Sequence, residues 1–218
     1  NVSTTGFKSD YQQYRSMQVF GNHFPSRVYA QTERPGTNLQ SGTYVTTGRN
    51  LDVAVQGQGW ISVIDAEGKE AYTRAGDLER NLSGTLVTGT GLAVKGNNGP
   101  ITMPEYENLE IGVDGNISVR ALGEGPLGLV QVDRIKLVNP DPKQMEKGKD
   151  GLFRMRDGST PQPDANVKLA SGMLETSNVN PVGELAAVIS SSRLMELNVT
   201  MLATYKEDDQ AAERIMQA

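Results

Sequence analysis

The chain has 218 residues, a net charge of −5, 37% hydrophobic residues, 24 glycines, 10 prolines and no cysteine. That length supports one or two domains with a real core, and the missing cysteines exclude disulfides and thiolate metal sites. The acidic balance, without any basic block, argues against tracking a nucleic-acid backbone, and no apolar run approaches the ~18 residues needed to span a bilayer.

Residues 1 to 8, NVSTTGFK, form a short polar segment. Residues 9 to 50 show little periodicity, with scattered aromatics and the turn formers Gly21-Asn22, Pro25-Ser26 and Arg34-Pro35-Gly36. They read as an extended connector with short strands over Ser26–Thr32 and Thr43–Thr47. A connector of this length has work beyond connection.

From Asn50 short β runs follow closely: Leu51–Val55, Trp60–Ile64, Glu70–Arg74, Thr85–Thr88 and Leu92–Val94, separated by glycine-rich turns. Leu109–Val113 and Asn116–Arg120 flank Asp114-Gly115 and predict a hairpin on a two-residue turn. Leu129–Val138 alternates throughout and predicts one long strand; Gly151–Met155 and Asn166–Ala170 are the last candidates. The pattern predicts a mainly β fold, an irregular β-sandwich or barrel of short antiparallel strands, carrying one long C-terminal helix.

That helix begins well. Asn180 can cap it, Pro181 suits its first position, and Glu184 lies near the positive end of the dipole. From Pro181 to Ala218 it would run roughly 57 Å if straight. One apolar row takes in Leu185, Val188/Ile189, Met195, Val199 and Leu202; a second, Leu194, Leu197, Met201 and Tyr205, lies on another side. Such a helix needs helical partners.

Candidate chemistry is thin. His23 is the one histidine and reads as a surface-loop residue, since a nitrogen-ligated metal site needs several. Glu207, Asp208 and Asp209 are adjacent rather than convergent. Asp65–Gly68 and Asp114–Asn116 lack the alternating oxygen ligands of calcium loops and read as hairpin turns. Gly57-Gln58-Gly59 precedes a strand, so it is no dinucleotide loop. No nucleophile–base pair emerges, so the chain reads as a non-enzyme without cofactor, metal or small-molecule substrate. A carbohydrate-binding or adhesin module, with Trp60 and Tyr72 as a stacking platform, is the alternative from another class.

Several motifs are together specific. Asn1–Lys8 is similar to the end of the N-terminal signature of bacterial flagellar rod and hook proteins. Gly57-Gln58-Gly59-Trp60, Tyr72-Thr73-Arg74-Ala75-Gly76, Gly84–Thr88 and Gly91 resemble the core pattern of that family, and Ser177-Asn178-Val179-Asn180 its C-terminal signature. Leu78 departs from it, standing where many relatives carry an aromatic residue. Arg134–Pro140 and Asp150–Arg154 look most like proximal-rod members; Glu175–Asn180 suits distal-rod members equally.

The resemblance implies a structural subunit of the basal-body rod, exported by the flagellar export apparatus without a cleaved signal and assembled in the periplasm. It implies axial and lateral rod subunits as partners, with surrounding ring proteins as further neighbours. It also implies an N-terminal helix ahead of Asn1, absent from this sequence, that pairs with the C-terminal helix. The expected division is 1–50 signature remnant and connector, 51–176 β-rich body and 177–218 assembly helix. The first apolar row would then meet the chain's own N-terminal helix and the second the neighbouring subunits.

Overall fold

A computed structural model describes residues 1–18, 28–123 and 128–216. His23, the turn formers Gly21-Asn22 and Pro25-Ser26, and the start of the expected 26–32 strand lie outside them. The described chain divides into two units, Asn1–Asn178 and Val179–Ala218.

The first unit is built of short strands. The connector supplies β1 (Gln13–Gln18), β2 (Val28–Glu33) and β3 (Tyr44–Thr46). The body continues with β4 (Val53–Gln56), β5 (Trp60–Ile64), β6 (Glu70–Thr73), β7 (Leu78–Arg80), β8 (Leu86–Thr88) and β9 (Ala93–Val94). Then come β10 (Tyr106–Ile111), β11 (Asn116–Ala121), β12 (Leu129–Arg134) and β13 (Leu137–Val138). The last are β14 (Met145–Lys147), β15 (Phe153–Met155), β16 (Lys168–Ser171) and β17 (Met173–Glu175).

The largest sheet has the order β14-β15-β6-β5-β9-β8-β7, with β13 also pairing β5; β10-β11-β12 form a second, and β4 pairs β16 while β3 pairs β17. Among the described residues every strand pairing is antiparallel and no sheet closes on itself as a barrel. The main core gathers alternate residues of these strands, among them Val53, Ile61, Leu78, Leu86, Ile117 and Leu169, all at most 1% exposed. Leu78 thus serves as a plain core side chain.

The hairpins repeat one device. After Asp65, Asn81, Thr88, Gly112 and Gly148, three residues turn the chain and the third is glycine: Gly68, Gly84, Gly91, Gly115 and Gly151. In each, the glycine N–H donates back to the first residue's carbonyl with φ between 79° and 85°. This is a three-residue loop whose last position is left-handed, which a side chain would strain. The turn at Asp114-Gly115 is therefore longer than the expected two-residue turn, because Gly112 and Asn116 still pair across it.

Two further expectations change. The run 129–138 is not one strand: β12 pairs β11, whereas Leu137 and Val138 pair Ile61 and Trp60 in the other sheet. Between them Ile135 bridges Gly96. Alternation persists through the crossing, so the pattern hides it. The strand β1 goes beyond the sequence pattern altogether; its six residues are exposed, with no buried face to write a period.

The second unit is one α-helix, α1 (Pro181–Met216), about 54 Å long at ~1.5 Å per residue.

Candidate assembly interface

The start of α1 follows the local chemistry. Asn180 Oδ1 accepts the N–H groups of Val182 (3.1 Å) and Gly183 (3.2 Å), and the Asn180 carbonyl accepts from Glu184 (3.0 Å). Pro181 in the first turn leaves no donor unsatisfied. Along the helix Thr200 and Thr204 return their hydroxyls to the carbonyls of Glu196 and Thr200 (2.9 and 3.0 Å), so these polar side chains are satisfied by the helix itself.

At 3.6 residues per turn, Leu185, Ile189, Met195, Val199 and Leu202 share one side of α1. Leu194, Leu197, Met201 and Tyr205 share another, about half a turn away. All nine are between 47% and 69% exposed. A globular surface helix buries one apolar stripe, whereas α1 carries apolar rows on two sides with all nine side chains exposed.

Within the first unit lies a cluster that the sequence did not announce. Lys8 Nζ meets Glu175 Oε1 at 2.5 Å, and Arg74 Nη1 meets Glu175 Oε2 at 3.0 Å. The side chains of Lys8 and Glu175 are fully buried and that of Arg74 is 4% exposed. Glu175 Oε1 also accepts the Gly42 N–H, while Lys8 donates to the Gln40 carbonyl and Arg74 to those of Val55 and Gly57. Burial pushes the Lys8 ammonium below its ordinary value, against the pull of Glu175.

Around these charges the two signature segments lie side by side. Gly6 N–H donates to the Glu175 carbonyl (2.8 Å) and Asn178 N–H to that of Phe7 (3.2 Å). Asn178 Oδ1 accepts from Ser9 N–H (2.7 Å), and its amide nitrogen reaches the carbonyls of Asn38 and Gln40. A second lysine, Lys147, donates to the Lys8 carbonyl and to Asp10, with its ammonium 4.1 Å from the Phe7 ring centroid. The charged members sit in the motifs themselves: Lys8 ends the first, Arg74 is central in Tyr72–Gly76, and Glu175 opens Glu175–Asn180. Nothing in the composition or spacing of these largely polar motifs marks the three charges as partners of one another.

Trp60 and Tyr72 do not form a platform. They are 4% and 1% exposed, and Trp60 packs on Phe153 with ring centroids 4.3 Å apart while the Arg74 guanidinium stands 5.3 Å from the Trp60 ring centroid. The carbohydrate-binding reading loses the residues that carried it. The two loops compared with calcium sites are hairpin turns: Asp65 accepts from Arg154 and from the N–H groups of Glu67 and Lys69. Asp114 accepts from Asn116.

Residues 54–119 match the family model "Flagellar hook protein FlgE/F/G D1 domain", and residues 170–215 match "Flagellar basal body rod FlgEFG protein C-terminal". The chain is 33% identical over 222 residues to the flagellar basal-body rod protein FlgF of Salmonella typhimurium and, equally, to that of Escherichia coli, covering 99% of this chain and 88% of each relative. It is 32% identical over 231 residues to the rod protein FlgG of Bacillus subtilis, covering 95% of this chain and 86% of that protein. With both signature segments meeting at one buried cluster and identity running along nearly the whole chain, this protein belongs to the flagellar basal-body rod family, as a structural protein of the rod.

Proposed function

We propose that this chain is a subunit of the proximal rod that polymerises through α1, with the β-rich unit forming the outer wall. The observation that carries the reading is the pair of apolar rows on α1, nine side chains exposed on two sides of one helix. Leu185, Ile189, Met195, Val199 and Leu202 pack against a helix of the same chain preceding Asn1. Leu194, Leu197, Met201 and Tyr205 pack against neighbouring rod and hook-family subunits. Each Leu or Met so covered contributes ~1.5–3 kcal/mol, and a head-to-tail contact of this kind extends as a helical filament.

In functional terms residues 1–50 connect, 51–176 form the body and 177–218 assemble. The subunit reaches the periplasm through the flagellar export apparatus without a cleaved signal and turns inside the surrounding rings. Its output is stiffness rather than catalysis. The test is motility and rod assembly in cells whose only copy carries paired Asp substitutions on either row of α1. Loss of both, with the β unit still folded, supports the reading; normal swimming with both rows altered overturns it.

A further inference from the structure

Asn98 is the one asparagine in the sequence that is followed by glycine. It lies in the hairpin where Lys95 bridges Pro100 and the Gly96 N–H donates to the Gly99 carbonyl at 2.7 Å. Asn98 is exposed, and its side-chain amide has no hydrogen-bond partner among the described residues. The Gly99 N–H likewise donates to no group there. At φ +134° Gly99 has a conformation open to glycine, with no atom within 4 Å of the point where a Cβ would stand.

The three Asp-Gly pairs of the chain are placed differently. The N–H groups of Gly115, Gly151 and Gly158 are held by the carbonyls of Gly112 (2.9 Å), Gly148 (3.2 Å) and Met155 (3.1 Å). Their carboxylates are engaged by Asn116, Arg154 and Ser159. A carboxylate is also a far poorer electrophile than a neutral amide. Among the Asn-Gly and Asp-Gly pairs of the described residues, only Asn98-Gly99 sets a solvent-exposed amide carbon beside an unengaged backbone nitrogen that carries no side chain to hinder attack.

We propose that Asn98 is a site of spontaneous deamidation in the folded protein. Water or hydroxide takes the proton of the Gly99 N–H, and the nitrogen attacks Cγ of Asn98. The new C–N bond closes a five-membered imide; the Cγ–Nδ2 bond breaks and ammonia leaves carrying the proton. Water then adds to either imide carbonyl and opens the ring, giving an aspartyl residue or its isoaspartyl isomer at position 98. No oxidant or reductant takes part.

The product adds one negative charge to a chain already at −5. The isoaspartyl form also inserts a methylene into the backbone of a tight hairpin. That hairpin bridges Ile135 through Gly96, where the chain crosses from β12 to β13, so the change falls on the seam between two sheets. It marks the age of the subunit.

The experiment incubates the full, folded chain at mildly alkaline pH and maps its peptides by mass, with isoaspartate detected by enzymatic methylation. The expected result is that the peptide carrying Asn98 shifts to the acid and splits into aspartyl and isoaspartyl forms while Asn81, Asn97 and Asn166 remain amides; Asn98→Gln loses the shift. Retention of the Asn98 amide in the folded chain overturns the proposal. So does conversion at Asn98 that begins only when denaturant unfolds the chain.

Discussion

Lys8 and Glu175 stand 167 positions apart in the chain and meet at 2.5 Å with neither side chain exposed. Arg74 completes the group from the middle of the sequence. Removing one member of a buried ionic group leaves its partners charged, dry and unpaired, which costs ~3–5 kcal/mol. Glu175→Gln should lower the unfolding free energy by that order in a denaturant titration at neutral pH. Lys8→Met should cost less, because Arg74 still pairs with Glu175, and the two changes together should be clearly non-additive. A Glu175→Gln variant as stable as the parent would sink this account of the cluster.

Gly6 shows why the first signature segment tolerates no side chain there. Its φ is +64°, and a Cβ would stand 2.2 Å from the Arg74 carbonyl carbon. Gly57 has a similar φ of +74° but open space around it. Gly6→Ala should therefore destabilise by well over about 1 kcal/mol, whereas Gly57→Ala carries only the backbone cost. Matched thermal melts of the two variants separate the terms.

Two carboxyls should shape the acid limb in opposite directions. Burial alone would raise Glu70, but hydrogen bonds from Lys136 and Lys95 outweigh it and hold the carboxyl below its ordinary value of 4.5. A carboxyl lower in the folded than the unfolded chain contributes stability above the ordinary value and loses it as pH falls through the folded one. Glu70→Gln should therefore flatten part of the acid unfolding transition. Asp77 is the reverse: burial raises it, with the nearby Asp52 adding to the effect. Its charged form costs stability at neutral pH, and the cost vanishes as pH falls through the raised value to the ordinary one. Asp77→Asn should stabilise at neutral pH and make no difference in acid, as read by denaturant midpoints across the range.

The rows of α1 can be tested separately. Met195→Asp with Val199→Asp, and Met201→Asp with Tyr205→Asp, each place charge on one side only. Every apolar side chain that can no longer be covered forfeits ~1.5–3 kcal/mol, so either pair should abolish stable polymer. The circular dichroism of the β unit should be unchanged, because none of the four residues belongs to it. Polymer of normal stability with either pair would exclude that row from assembly.

The C-terminal helix is legible in the sequence because its signals are local: a cap, a proline and apolar spacing within one segment. Most strands of the body are legible for the same reason. The crossing at Ile135 is not, since a strand that changes sheets keeps its alternation. The exposed antiparallel pair of β1 and β2 is hidden because Tyr14, Met17 and Tyr29 face solvent and leave no half-buried pattern. Asp114-Gly115 suits both a two-residue and a three-residue loop, and only the pairing of Gly112 with Asn116 decides between them. The Lys8–Arg74–Glu175 group is out of reach: a partner 101 or 167 positions away leaves no trace in spacing.

The dryness of that group has a consequence for the conditions the protein can meet. Surface pairs such as Arg15–Glu33, 73% and 41% exposed, are weakened as dissolved ions gather around them. Ions do not reach between Lys8 and Glu175. The junction of the two signature segments should hold equally in dilute and in saline surroundings, while the exposed arm of β1 and β2 loosens as ionic strength rises.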